Sequence, residues 1–160
     1  MPVLRPRLSQ AFPAQRGVAA VEFAFLAVLL IVLVAGLIEF GRGLGYYDAL
    51  AKGCRDAARY LSAVPASQLS GAVDQARQRV LDSARAGGVP AFDAGAVEVH
   101  CAPVACTALS QPGDIREVQV AVRYAFTLGG WFPAFWTLEA GGGGRSLLTL
   151  APRATMPYLW

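Results

Sequence analysis

Arg16-Gly17-Val18-Ala19-Ala20-Val21-Glu22-Phe23 opens an apolar run that continues to Ile38. Residues 18–38 number 21, and Glu22 is their single charge. A helix of about 20 such residues crosses a bilayer, so the run predicts one transmembrane helix. A carboxylate inside a hydrocarbon-bound helix is costly, and its presence needs a reason.

A cleavable secretory signal is the competing reading of the same run. Its basic flank is present in Arg5, Arg7 and Arg16, but a signal's apolar core runs only about 7–15 residues and ends at small residues. Here the run is longer and is followed by Glu39-Phe40-Gly41-Arg42, a poor cleavage site.

Beyond the run, helical periodicity continues. Phe40, Leu44, Tyr47, Ala51, Cys54, Ala58 and Leu61 recur at alternating intervals of four and three, a heptad seam expected to pack. Arg42, Asp48, Lys52, Arg55, Asp56 and Arg59 fall between them as a solvated face, with Lys52 and Asp56 one turn apart and able to pair. Gly41, Gly43 and Gly45 weaken this stretch and mark a kink or a close contact, and Pro65 is the first hard stop. One helix is therefore expected from about residue 18 to about 63, on the order of 70 Å long.

After it, Leu69, Val73, Val80, Leu81 and Ala84 suggest a second helix over about 67–86, capped by Ser67 or Ser70 and ended by Gly87-Gly88. Residues 97–100 form a short strand candidate. Residues 115–127 make the best strand, with Val118, Val120, Val122, Tyr124 and Phe126 on one face. A third strand is expected over 146–155, interrupted by Pro152. Between the last two lie Trp131-Phe132-Pro133-Ala134-Phe135-Trp136, read as core or subunit contact, and a glycine run at 141–144. The expected class is α+β: a long pilin-like helix packed on a small antiparallel sheet, with a second short helix.

The net charge of +3 does not point to nucleic acid. Arg5, Arg7 and Arg16 precede residue 18, and all 11 acidic residues follow Gly17, which leaves 11 basic against 11 acidic side chains beyond that point. No basic excess is left to bind DNA or RNA. Basic residues flank both ends of the span about equally, so charge alone does not orient it.

Cys101 and Cys106 bracket a short loop, a spacing that closes as a local disulfide in an oxidising compartment. Cys54 is left over, as a buried thiol or an intermolecular partner. His100 beside Cys101 and Cys106 does not make a zinc signature. With one histidine, no nucleophile elbow and no phosphate loop, no enzyme, cofactor or small-molecule substrate is expected.

The Arg16-to-Phe23 motif resembles the processing site of class III prepilins, and the chain beyond it resembles the TadE-like minor pilins of the tight-adherence, or Flp-type, machinery. That resemblance implies cleavage between Gly17 and Val18 by a membrane prepilin peptidase, with Glu22 five residues into the mature chain. Phe23 stands where the family usually has tyrosine. It implies that Glu22 neutralises the new N-terminal ammonium of a neighbouring subunit, since opposite charges in low dielectric attract strongly. The organisation implied is a cytoplasmic leader at 1–17, a transmembrane helix at 18–38 that continues to about 63, and a small domain at 64–160 on the periplasmic side of a bacterial inner membrane. The implied partners are other major and minor pilins and the membrane platform of the pilus. The alternatives are an unprocessed membrane-anchored assembly factor, an adhesive module at a pilus tip and, further off, a minor pseudopilin of a type II secretion system.

Overall fold

The computed structural model describes residues 16–106, 115–127 and 147–159. The chain divides into two compact units, Met1–Gly36 and Leu37–Trp160. Helix α1, Arg16–Ser62, contributes to both. The tryptophan-rich segment 131–136, the glycine run 141–144 and residues 1–15 of the leader lie outside the described residues.

In the first unit, Val21, Phe25, Leu29 and Val32 are all exposed. The most apolar 18-residue window of the helix has a mean hydropathy of 2.9, and only 6% of it is buried. Such a surface is unfavourable in water and at home in hydrocarbon, where a helix leaves no backbone group unpaired. The segment fits a single-pass membrane anchor.

In the second unit, α1 ends just before Pro65, whose missing N–H and ring oppose further helix. A 3₁₀ turn, Ala66–Gln68, leads into α2, Leu69–Ala86. Neither Ser67 nor Ser70 caps α2, contrary to expectation. Its cap position is Gln68, with no side-chain cap bond. The backbone takes that role: Gln68 N donates to Pro65 O at 2.9 Å, and Leu69 N donates to Ala66 O. The other end is as the sequence suggests. Gly88 adopts φ +68°, and Val89 N reaches back to Ala84 O while Gly88 N reaches Arg85 O, closing the helix with a left-handed residue that glycine adopts freely.

After a second 3₁₀ turn at Ala94–Ala96, the strands are β1 (Val97–Pro103), β2 (Ile115–Val122), β3 (Tyr124–Thr127), β4 (Leu147–Leu150) and β5 (Arg153–Pro157). They form an antiparallel sheet of order β1-β2-β5 and a separate β3-β4 pair. The class is α+β. Both long strands expected from the sequence are divided, and one residue explains both divisions. Val122 N donates to Pro152 O at 3.0 Å, but proline has no N–H to return the bond. At the next position Arg123 N turns to Ala96 O instead. The register does not slip across the gap: from Ala121↔Arg153 to Tyr124↔Leu150 is three residues forward on one strand and three back on the other. The two sheets are one ribbon interrupted at Pro152.

Period-2 patterning decides which face of this ribbon is covered. Val118, Val120, Val122 and Ala154 are buried and join one core with Leu50, Cys54, Ala58 and Leu61 of α1 and Ala72, Ala76, Val80 and Ala84 of α2. Glu117, Arg123 and Arg153 face away and are exposed.

Cys101 and Cys106 are joined as a disulfide at the end of β1. It closes a loop with a sequence separation of 5. Restricting so short a loop in the unfolded chain stabilises by about 2 kcal/mol. Replacing both cysteines by serine is expected to lower stability by about that amount, read as a drop in the thermal midpoint. An unchanged midpoint would show that the loop is ordered without the link.

Candidate functional site

Gly17 and Val18 lie in the first turn of α1. Val18, Glu22 and Phe23 are all exposed, and a Cβ placed on Gly17 would meet nothing within 4 Å. Val18 and Glu22 are one helical turn apart and share a face.

Farther along α1, within the second unit, the helix turns one line of residues inward and leaves another uncovered. The expected packing seam is only half placed inside the molecule. Cys54, Ala58 and Leu61 are buried and Ala51 is half-buried, but Phe40, Leu44 and Tyr47 are 64%, 53% and 46% exposed. At this end the inward line runs one residue earlier, through Glu39, Gly43, Tyr46 and Leu50. One residue is about 100° of helix, so Phe40, Leu44 and Tyr47 rotate out of the core.

The inward line begins with a polar cluster. Glu39 is 2% exposed and pairs with the guanidinium of Arg42 one turn on. That guanidinium sits over the rings of Phe126, at 5.0 Å, and Tyr46, at 5.9 Å, within cation–π range. It also donates to Thr127 O at 3.4 Å, while its Nε finds no hydrogen-bond partner among the described residues. Phe126 meets Tyr46 edge-on at 5.7 Å, and a Cβ on Gly43 would stand 3.3 Å from the Phe126 ring. Of the three glycines in this stretch, Gly43 therefore marks a close contact. Gly41 and Gly45 have nothing within 4 Å, and α1 runs unbroken through all three.

This cluster is absent from the sequence-level site. The signal was there, in a glutamate placed directly after the apolar run with an arginine three residues later. Its partners Phe126 and Thr127 are more than 80 residues away, which periodicity cannot see.

Cys54 is a buried free thiol whose Sγ lies 3.8 Å from Pro152 O, under the interruption in the ribbon. Burial pushes the thiol up to about 11, so almost no thiolate is present near neutral pH and the group is unreactive. His100 is exposed and lies 3.5 Å from Glu98. Among the described residues no group of three histidine, cysteine or acidic side chains is placed to hold a metal ion. Lys52 and Asp56, one turn apart, form no ion pair with each other.

An apolar helix long enough to cross a membrane carries on into a small α+β unit, an arrangement that fits a single-pass membrane anchor. The family model described as TadE-like protein matches residues 17–59, a stretch that lies wholly within α1. No curated protein and no solved structure matches the chain.

Proposed function

We propose that this protein is a minor pilin, or pseudopilin, that helps to assemble or prime a Tad-type pilus. The observation that carries this reading is the coincidence of the family match, residues 17–59, with the helix that bears the Gly17-Val18 junction and Glu22. A prepilin peptidase in the inner membrane removes residues 1–17, and the new ammonium of Val18 pairs with Glu22 of a neighbouring pilin. Glycine suits the junction twice over. It presents no side chain to the protease, and it lowers the cost of unwinding the first turn by roughly 1 kcal/mol relative to alanine. Residues 18–38 lie in the membrane, and the α+β unit faces the periplasm and selects partners among the other pilins and the membrane platform.

The test is the intact mass and N-terminal sequence of the protein from membranes that contain a prepilin peptidase. The expected product begins at Val18 and has 143 residues, the 160 of the full chain less 17. Gly17→Leu is expected to reduce that product at least roughly tenfold, because a side chain then blocks the approach to the scissile bond. Glu22→Ala is expected to leave the mass change intact and to abolish co-purification with other pilins. A wild-type chain that keeps residues 1–17 would make the protein an unprocessed assembly factor.

A further inference from the structure

Four cations line one groove of the second unit without a carboxylate partner among the described residues. Lys52, Arg55 and Arg59 follow one another at intervals of three and four, so they share a stripe of α1. Arg79 of α2 stands across from them, its guanidinium stacked 4.3 Å over the Tyr60 ring. Two adjoining hollows of about 330 and 450 Å³ run between these side chains and share Asp56 and Arg59 in their walls. Among the described residues, Asp56 is the one acidic residue lining them.

What sets these four apart is that they cluster in one groove; Arg116 and Arg153 also form no ion pair among the described residues but line neither hollow. Arg42, Arg77, Arg85 and Arg123 each have a carboxylate within 3.5 Å, whereas none of the four groove cations forms an ion pair among the described residues. Arg55 and Arg59 stand one turn apart and repel, an effect that Asp56, one turn from Lys52 and from Arg59, offsets in part. The groove is not purely polar: Met156 of β5 lines one hollow and Val64 the other.

We propose that this groove is a docking site for an acidic, amphipathic segment of a partner protein, its carboxylates on Lys52, Arg55, Arg59 and Arg79 and its apolar side chains against Met156 and Val64. Charge complementarity selects an anionic occupant. A lipid headgroup is too near the membrane: Lys52 is 14 residues, about 21 Å of helix rise, beyond Ile38, against about 5–7 Å of headgroup layer per leaflet. A flexible polyanion would have no use for the apolar floor, which matches the mixed core of protein interfaces. The inference rests on the assembly reading only for where the partner comes from, because its test is made with purified components.

The full chain in detergent micelles is titrated with a short fluorescent peptide bearing glutamates on one helical face and leucines on the other. Dextran sulfate serves as the polyanion control. Binding is expected at low salt, weakened by high salt, and reduced at least roughly tenfold in Arg55→Glu/Arg59→Glu. The same double variant is expected to gain binding of a peptide whose glutamates are replaced by lysines, which shows that it is folded. Met156→Asn is expected to weaken the acidic peptide and leave dextran sulfate unaffected. Equal binding of the acidic peptide by wild type and the double variant overturns the proposal. So does tighter binding of dextran sulfate than of the peptide. Failure here leaves the N-terminal processing result standing, and the reverse also holds.

Discussion

Gly53→Leu is expected to cost the second unit about 3 kcal/mol or more, at the top of the range for overpacked cores. Gly53 is buried on α1, and a Cβ there would stand 3.0 Å from Ser83 Cβ and 3.1 Å from Val80 Cα of α2. The second of these is backbone, which cannot swing aside. The approach is close at a second point, since a Cβ on Gly87 would lie 2.3 Å from Ala49 Cβ. Between the two, Ser83 Oγ donates to Ala49 O at 2.8 Å and fixes the spacing. Glycine inside a helix normally costs about 1 kcal/mol relative to alanine, and here the close approach of α2 offsets it. Gly71 supplies the control. It lies in α2 with nothing within 4 Å, so Gly71→Ala is expected to be neutral or stabilising by up to about 1 kcal/mol. Urea unfolding of the full chain in detergent, followed by circular dichroism, separates the two. If both substitutions moved stability in the same direction, the close helix contact would not be the reason for Gly53.

Arg42→Leu is expected to be comparably damaging, by about 3 kcal/mol, because it removes the guanidinium that pairs with the buried carboxylate of Glu39. The loss also removes the stack on Phe126 and the bond to Thr127 O, which hold the first turns of the inward line against β3. Arg42→Lys keeps the charge and is expected to recover less than half of the loss, since an ammonium neither stacks on the ring nor reaches the carboxylate and Thr127 O together. The informative variant is Glu39→Leu/Arg42→Leu. Replacing both members of a buried pair by apolar residues is often near neutral, so the double substitution is expected to be more stable than Arg42→Leu alone. A double-mutant cycle reads the coupling directly. Additive losses would mean that Glu39 and Arg42 act independently, with other partners providing the stabilisation.

The parts of this molecule readable from sequence are those written in local periodicity. The apolar run of α1 and the alternation through Val118, Val120 and Val122 each repeat often enough to name both the element and its buried face. The seam failed at Phe40, Leu44 and Tyr47 for an instructive reason. The inward line instead carries Glu39 and Gly43, which hydropathy counts against a core. Their burial depends on Arg42 and Phe126, and only the fold brings these together. The expected serine caps failed because Pro65 sets up a 3₁₀ turn whose backbone does the capping. Pro152 was visible as a break in its own strand. That it also divides the strand opposite is a property of the pairing, and pairing across more than twenty residues leaves no local trace.

The order of synthesis matters for a core built this way. Ser62 O accepts from Leu159 N at 3.2 Å, Val64 O accepts from the Tyr158 hydroxyl at 2.7 Å, and Cys54 lies beneath Pro152. Each of these contacts joins residues more than 90 positions apart. A growing chain therefore makes the Leu50, Cys54 and Leu61 face of α1 long before the strand that covers it exists. Until β5 arrives, that face stays open to any neighbour, and contacts of such long range are slow to close. Nascent copies are most vulnerable to misassociation in this interval, which the arrival of β5, Arg153–Pro157, ends.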